Sequence, residues 1–176
     1  PVRNLSEKVF TESFMVHPYR RPVIGFKETV DKFTRKRLLD FYHKWYVGEN
    51  ITLVVVGDID KRKALREIER AFQGLRTGKR PKRRTPEEPP QRNMKAFTMA
   101  GDVNESHLEF AFHTPGITSD DLYPLDVLAL ILGQGESSVL YRNIKASEGL
   151  VHNINTYSFT PKENGLFLIN CSLDID

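Results

Sequence analysis

One cysteine, Cys171, is all the thiol the 176 residues contain. That excludes an internal disulfide framework and a multi-cysteine zinc site. No apolar run approaches the ~20 residues a membrane-spanning helix needs, so no membrane span is expected. The chain starts at Pro1 without an initiator methionine or a signal-peptide pattern. It therefore reads as a piece of something longer, and its compartment is not legible. Charge of one sign is also scarce: 26 Lys and Arg against 23 Asp and Glu leave +3. So small an excess does not by itself argue for nucleic acid. The basic residues are concentrated, with Lys79, Arg80, Lys82, Arg83 and Arg84 crowded together and followed by Glu87 and Glu88. No aromatic residue interleaves that run, which removes the stacking partners of a single-strand binder. It reads as a solvated linker, with no nucleic-acid partner expected.

What is present is an ordinary globular mixture, 39% hydrophobic and 28% charged, long enough for one sizeable domain or two small ones. At the centre of the first half lies NITLVVVGDID, Asn50–Asp60, rich in β-branched residues. Its run from Ile51 to Val56 predicts a short strand buried on both faces, ended by Gly57 and Asp58. Thr34 opens an amphipathic segment before it, with Leu38, Phe41, Tyr42 and Trp45 at helical spacing. Asp60 caps a second one after it, through Ala64, Leu65, Ile68, Phe72 and Leu75.

Outward from that helix–strand–helix unit, Leu5–Phe14 is weakly amphipathic and predicts a helix. His17–Gly25, with two prolines and a closing glycine, predicts an extended loop. Thr77–Asn93 holds four prolines and many charges, too little apolar surface to offset the entropy of ordering it. It predicts an interdomain linker between a part at 1–76 and a part at 94–176. In the latter, Leu108, Phe110 and Phe112 alternate with His107, Glu109, Ala111 and His113, a strand with one buried and one exposed face. A helix capped by Ser119 or Asp120 then turns Leu125, Leu128, Ala129 and Leu132 to the core, with Pro124 tolerated in its first turns. Gly133–Ser138 breaks it, Val139–Ser147 forms another helix stopped at Gly149, and strands at Val151–Phe159 and Leu166–Ile175 close the chain. The expected class is α+β, helices packed on one side of a mostly antiparallel sheet.

Chemistry is hard to find in these residues. The five histidines (His17, His43, His107, His113, His152) never fall at the helical i, i+4 spacing that puts two imidazoles on one metal. His107 and His113 share a strand face but stand roughly 20 Å apart, too far to chelate together. Ser137 and Ser138 lack a G-x-S-x-G elbow. Cys171 lies on an apolar strand face, as a structural thiol does. The GQG at Gly133–Gly135 follows a helix, the wrong order for a phosphate loop.

Motif wording goes further than spacing. HPYRRPVIG followed by FTRKRLLDFYHKWYVGENITLVVVGDID resembles the pitrilysin, or insulinase-type, family of zinc peptidases, which includes the mitochondrial processing peptidases. The matching positions are Phe14, His17–Tyr19, Pro22, Gly25, Phe41–Tyr42, Tyr46, Val55–Asp58 and Asp60, with Arg20 where the family usually has Gly. TPGITSDDLYPLDVLALILGQGESSVLYRNIKASEGLVHNINTY resembles the family's second conserved block. The resemblance implies paired two-layer α+β lobes, with zinc held in the active lobe by an H-x-x-E-H motif and a downstream Glu. No H-x-x-E-H occurs in this chain, and the family places it upstream of the HPY loop. Zinc would then be bound by residues outside this chain, in a full-length parent that hydrolyses peptides or small unfolded proteins. On that resemblance, residues 1–76 correspond to the rear of the first lobe, 77–93 to the linker and 94–176 to the front of the second. Active members offer an Arg, and seven residues on a Tyr, to bound substrate; Lys145 and His152 occupy those positions here. They are the candidate substrate-binding residues. A non-catalytic, peptide-binding partner subunit of a homo- or hetero-oligomer is the alternative.

Overall fold

The computed structural model describes residues 2–175; Pro1, where the chain begins, and Asp176 lie outside them. Its elements are α1 (Val2–Ser13), α2 (Lys27–Val30), α3 (Arg35–Trp45), α4 (Lys61–Phe72), β1 (Ser106–Thr114), α5 (Leu122–Gly133), β2 (Asn153–Phe159) and β3 (Gly165–Leu173). The class is α+β, as expected. No helix among the described residues is long and apolar enough to cross a membrane. The chain divides into two compact units, Gly25–Arg84 and the residues on either side of it.

The flanking unit is built on a three-stranded sheet in the order β1–β3–β2, both pairings antiparallel. Central β3 sets the two faces. Its Leu166 and Leu168 are fully buried and pack with Val9 of α1 and Phe14 just after it, helped by Leu5, Phe10, Ala111 and Phe159. Burial of each such side chain contributes about 1.5–3 kcal/mol. The alternate residues, Phe167, Ile169 and Cys171, stand opposite Ser158, Thr156 and Ile154 of β2. Thr156 is pinned to α5: its hydroxyl donates to the Ala129 carbonyl at 2.7 Å, inside the protein. Helices thus cover both faces, α1 one and α5 the other, which corrects the expectation that they pack on one side. Gly133 permits the close approach of α5, because a Cβ there would stand 2.8 Å from the Thr156 nitrogen. Leu125, Ala129 and Leu132 turn inward, but Leu128 is exposed on the outer side with Val127, Leu130 and Ile131.

On β1 the more covered row is the polar one. α1 packs over His107, Glu109, Ala111 and His113, whereas Leu108, Phe110 and Phe112 are exposed. These apolar side chains line a groove of about 1330 Å³ with Met94, Phe97 and Met99. The alternating segment is a strand, as its pattern predicts, but alternation alone cannot say which face a neighbour covers.

The Gly25–Arg84 unit carries the expected helices and caps. The Thr34 hydroxyl accepts from Arg37 N–H, and the Asp60 carboxylate accepts from Lys63 N–H at 2.9 Å. The predicted strand is a correction. Residues 51–56 pair with no strand, and Val54 and Val56 are 76% and 92% exposed. Strand propensity needs a neighbouring strand to complete its hydrogen bonds, and this unit contains only helices and turns. Val47 is its one buried large apolar residue.

Candidate functional site

Lys145 lies in a run of π-type turns, Tyr141–Ser147. The run ends as the sequence predicts: Gly149 adopts φ 64°, its N–H returns to the Lys145 carbonyl, and Leu150 N–H returns to Ile144. The Lys145 ammonium stands 5.0 Å over the Tyr141 ring. His152 sits one residue before β2, where its N–H donates to the Ser172 carbonyl at 2.7 Å and extends the ladder. Its Nε2 meets the exposed Asp174 carboxylate at 2.9 Å. The two candidates therefore flank one chain reversal, but each side chain turns to its own partner. No hydrogen bond or ion pair joins them among the described residues. Both remain open to a ligand in part, as a substrate contact requires.

A denser polar constellation lies elsewhere, in the loop after α1. The Glu88 carboxylate, 7% exposed, accepts three consecutive backbone N–H groups, from Met15, Val16 and His17. Burial works against its charge, but these three donors and the nearby His113 prevail and hold the carboxyl below its usual range. His17 is almost fully buried, and its Nδ1 accepts Tyr19 N–H. The ring proton of the neutral form then belongs on Nε2, which is buried without a partner. Tyr19 continues outward, its hydroxyl donating to Glu163 at 2.6 Å in the turn between β2 and β3. Burial and that bond push the Tyr19 phenol up, while the same bond holds Glu163 down. His113 closes the far side through Nε2 and the Ser13 carbonyl at 2.8 Å.

In the sequence Glu88 reads as a solvated charge, because nothing local sets it apart from Glu87. Its partners lie more than seventy residues away in the chain, and only the fold brings them together.

Neither constellation fits a zinc ion. Among the described residues no three His, Cys, Asp or Glu side chains cluster as metal ligands. His17 offers one ring nitrogen that is buried but has already bonded the other, and both carboxylates around it are occupied by N–H or O–H donors.

A family model described as the peptidase M16 inactive domain matches residues 32–176. An uncharacterized zinc protease of Rickettsia felis is 29% identical over 173 residues, covering 94% of this chain and 40% of that protein. A protease from Helicobacter pylori shares the fold with a TM-score of 0.83 at 23% identity, over 96% of this chain and 41% of that one. A chain of complex III2 from Candida albicans does so with a TM-score of 0.78 at 20% identity, over 99% and 43%. The chain thus spans about 40% of the length of the curated relatives it matches.

Proposed function

The chain belongs to the peptidase M16 family, and on that basis we propose that it is part of a zinc-dependent endopeptidase and supplies scaffold and substrate contacts rather than metal ligands. The observation that carries this reading is the family match over most of the chain, together with a relative described as a zinc protease that aligns with nearly all of it. Zinc would be held by residues outside this chain. Residues 1–76 then form the rear of a first lobe, 77–93 the linker and 94–176 the front of a second lobe. In this division α1 and the loop after it are the part of the first lobe that meets the second lobe's sheet.

Lys145 and His152 are assigned to the bound peptide. The ammonium offers a charge with several N–H donors, without the planar fork of arginine. The imidazole is held by Asp174 through Nε2, which leaves Nδ1 toward substrate, an N–H donor in the protonated ring. Together they suit a peptide carbonyl and the oxyanion that forms from it. Loss of one such donor typically costs on the order of 10²–10³ in turnover.

The second reading is a non-catalytic subunit, favoured by the likeness in fold to a chain of complex III2. The two part company in the longer parent protein. Cleavage of an unfolded peptide that stops on chelation and returns with zinc supports the peptidase. In that case Lys145→Ala and His152→Phe lower kcat far more than stability, with less than additive effects. A correctly folded parent with no H-x-x-E-H and no cleavage belongs to the second reading. Near-parental kcat/KM in both variants removes the substrate-contact assignment.

A further inference from the structure

Three consecutive amides aimed at one carboxylate are more than a loop needs. Met15 and Val16 have exposed side chains, yet their N–H groups, with that of His17, converge on a single buried anion. Oriented amides of this kind form a fixed patch of positive potential that selects for negative charge. Charge-assisted N–H donation to a carboxylate is about twice as strong as its neutral counterpart.

The anion arrives on a segment with little else to hold it. Residues 85–90 have no secondary structure, and Glu88 is the one residue from 81 to 90 whose hydrogen bonds the structure records. Prolines at 89 and 90 stiffen the backbone just beyond it and remove two backbone donors. The amide trio, by contrast, is held from several sides. Phe14 N–H bonds back to Phe10, His113 holds the Ser13 carbonyl, and Tyr19 is tied to Glu163. The receptor is rigid and its ligand is on a strap.

We propose that the Met15–His17 amides form a carboxylate-selective binding site whose resident ligand is Glu88 of the same chain, and which accepts a free carboxylate when Glu88 is withdrawn. The site is distinct from Lys145 and His152 and does not depend on the peptidase reading. A tethered ligand acts at a high effective concentration, so free carboxylates enter only once the tether is cut. Its chemistry selects a small planar anion whose two oxygens share the three N–H donors, a pair that formate and acetate have and spherical chloride lacks.

Hydrogen exchange at the Met15, Val16 and His17 amides in the intact protein reads the site directly. Glu88→Ala should speed exchange at these amides on the order of tenfold or more, with little change in β3. Sodium formate at about 0.1 M should restore most of the protection, whereas sodium chloride at equal ionic strength should not. Glu88→Gln keeps the shape without the charge, so if the alanine variant fails to fold it carries the same test, with exchange faster than in the parent and partly restored by formate. Unchanged exchange in the variant that folds overturns the site. Equal restoration by chloride and formate overturns its selectivity for carboxylate.

Discussion

Both compact units hold helices of eleven or twelve residues, and the better caps are in the unit that packs less. In Gly25–Arg84, α3 and α4 begin at side-chain caps from Thr34 and Asp60, yet neither helix buries a single residue fully. In the flanking unit, α5 has no side-chain cap bond at all, yet it is held down by Thr156, Gln134 and the close approach at Gly133. Local signals decide where helices start; they do not decide whether those helices have something to pack against. Helices of this size are marginal alone and owe most of their stability to tertiary packing.

The largest expected difference between the units is therefore in the cost of truncation. Leu168 is 0% exposed at the centre of the sheet, and Leu168→Ala should cost about 2–5 kcal/mol in denaturant unfolding. Val56→Ala, at a position of equal hydrophobic character on paper, should stay within about 0.5 kcal/mol. Similar costs at the two positions would mean that residues 51–56 are packed after all.

A smaller effect sets two carboxylates of the sheet unit against each other. Glu88 is held below its usual range in the folded state, so its contribution is present above the unfolded carboxylate pKa and lost as pH falls through the folded one. His113 stands near it and favours its charged form. Glu109 is the reverse case. Burial raises it, its Oε1 has no partner, and it faces Tyr157. Its contribution is present at low pH and lost as pH rises from the unfolded pKa through the folded one. At neutral pH Glu88→Gln should lower the melting temperature and Glu109→Gln should raise it. Both differences should shrink toward acid, where the parent carboxyls are protonated too. Shifts of the same sign would break the distinction.

The smallest effect is at a cap. Asp60→Ala should cost about 1 kcal/mol of helix stability, read as lost α4 helicity, since packing does little to hold that helix in place.

Legibility followed the same division. Thr34 and Asp60 were readable because a cap and its N–H partner lie within one turn. β1, β2 and β3 were readable because alternation and turn residues are local, and the αL stop at Gly149 because only glycine fits it cheaply. Residues 51–56 show the limit: a β-branched run states a propensity and needs a partner to become a strand. The covered face of β1 was not legible either, since it depends on where α1 lies. At the candidate sites, motif wording led to Lys145 and His152. The Glu88 site is not legible, because a glutamate between prolines looks solvated until the fold supplies three amides from more than seventy residues away.

Zinc content tests the central claim most directly. The chain of 176 residues, purified and dialysed against zinc, should hold no stoichiometric metal by elemental analysis and should leave an unfolded peptide uncut. The longer parent, treated alike, should carry one zinc per chain and cleave. One tightly held zinc per 176-residue chain, with endopeptidase activity, would contradict the account, because the ligands and the reaction would then belong to residues within this chain.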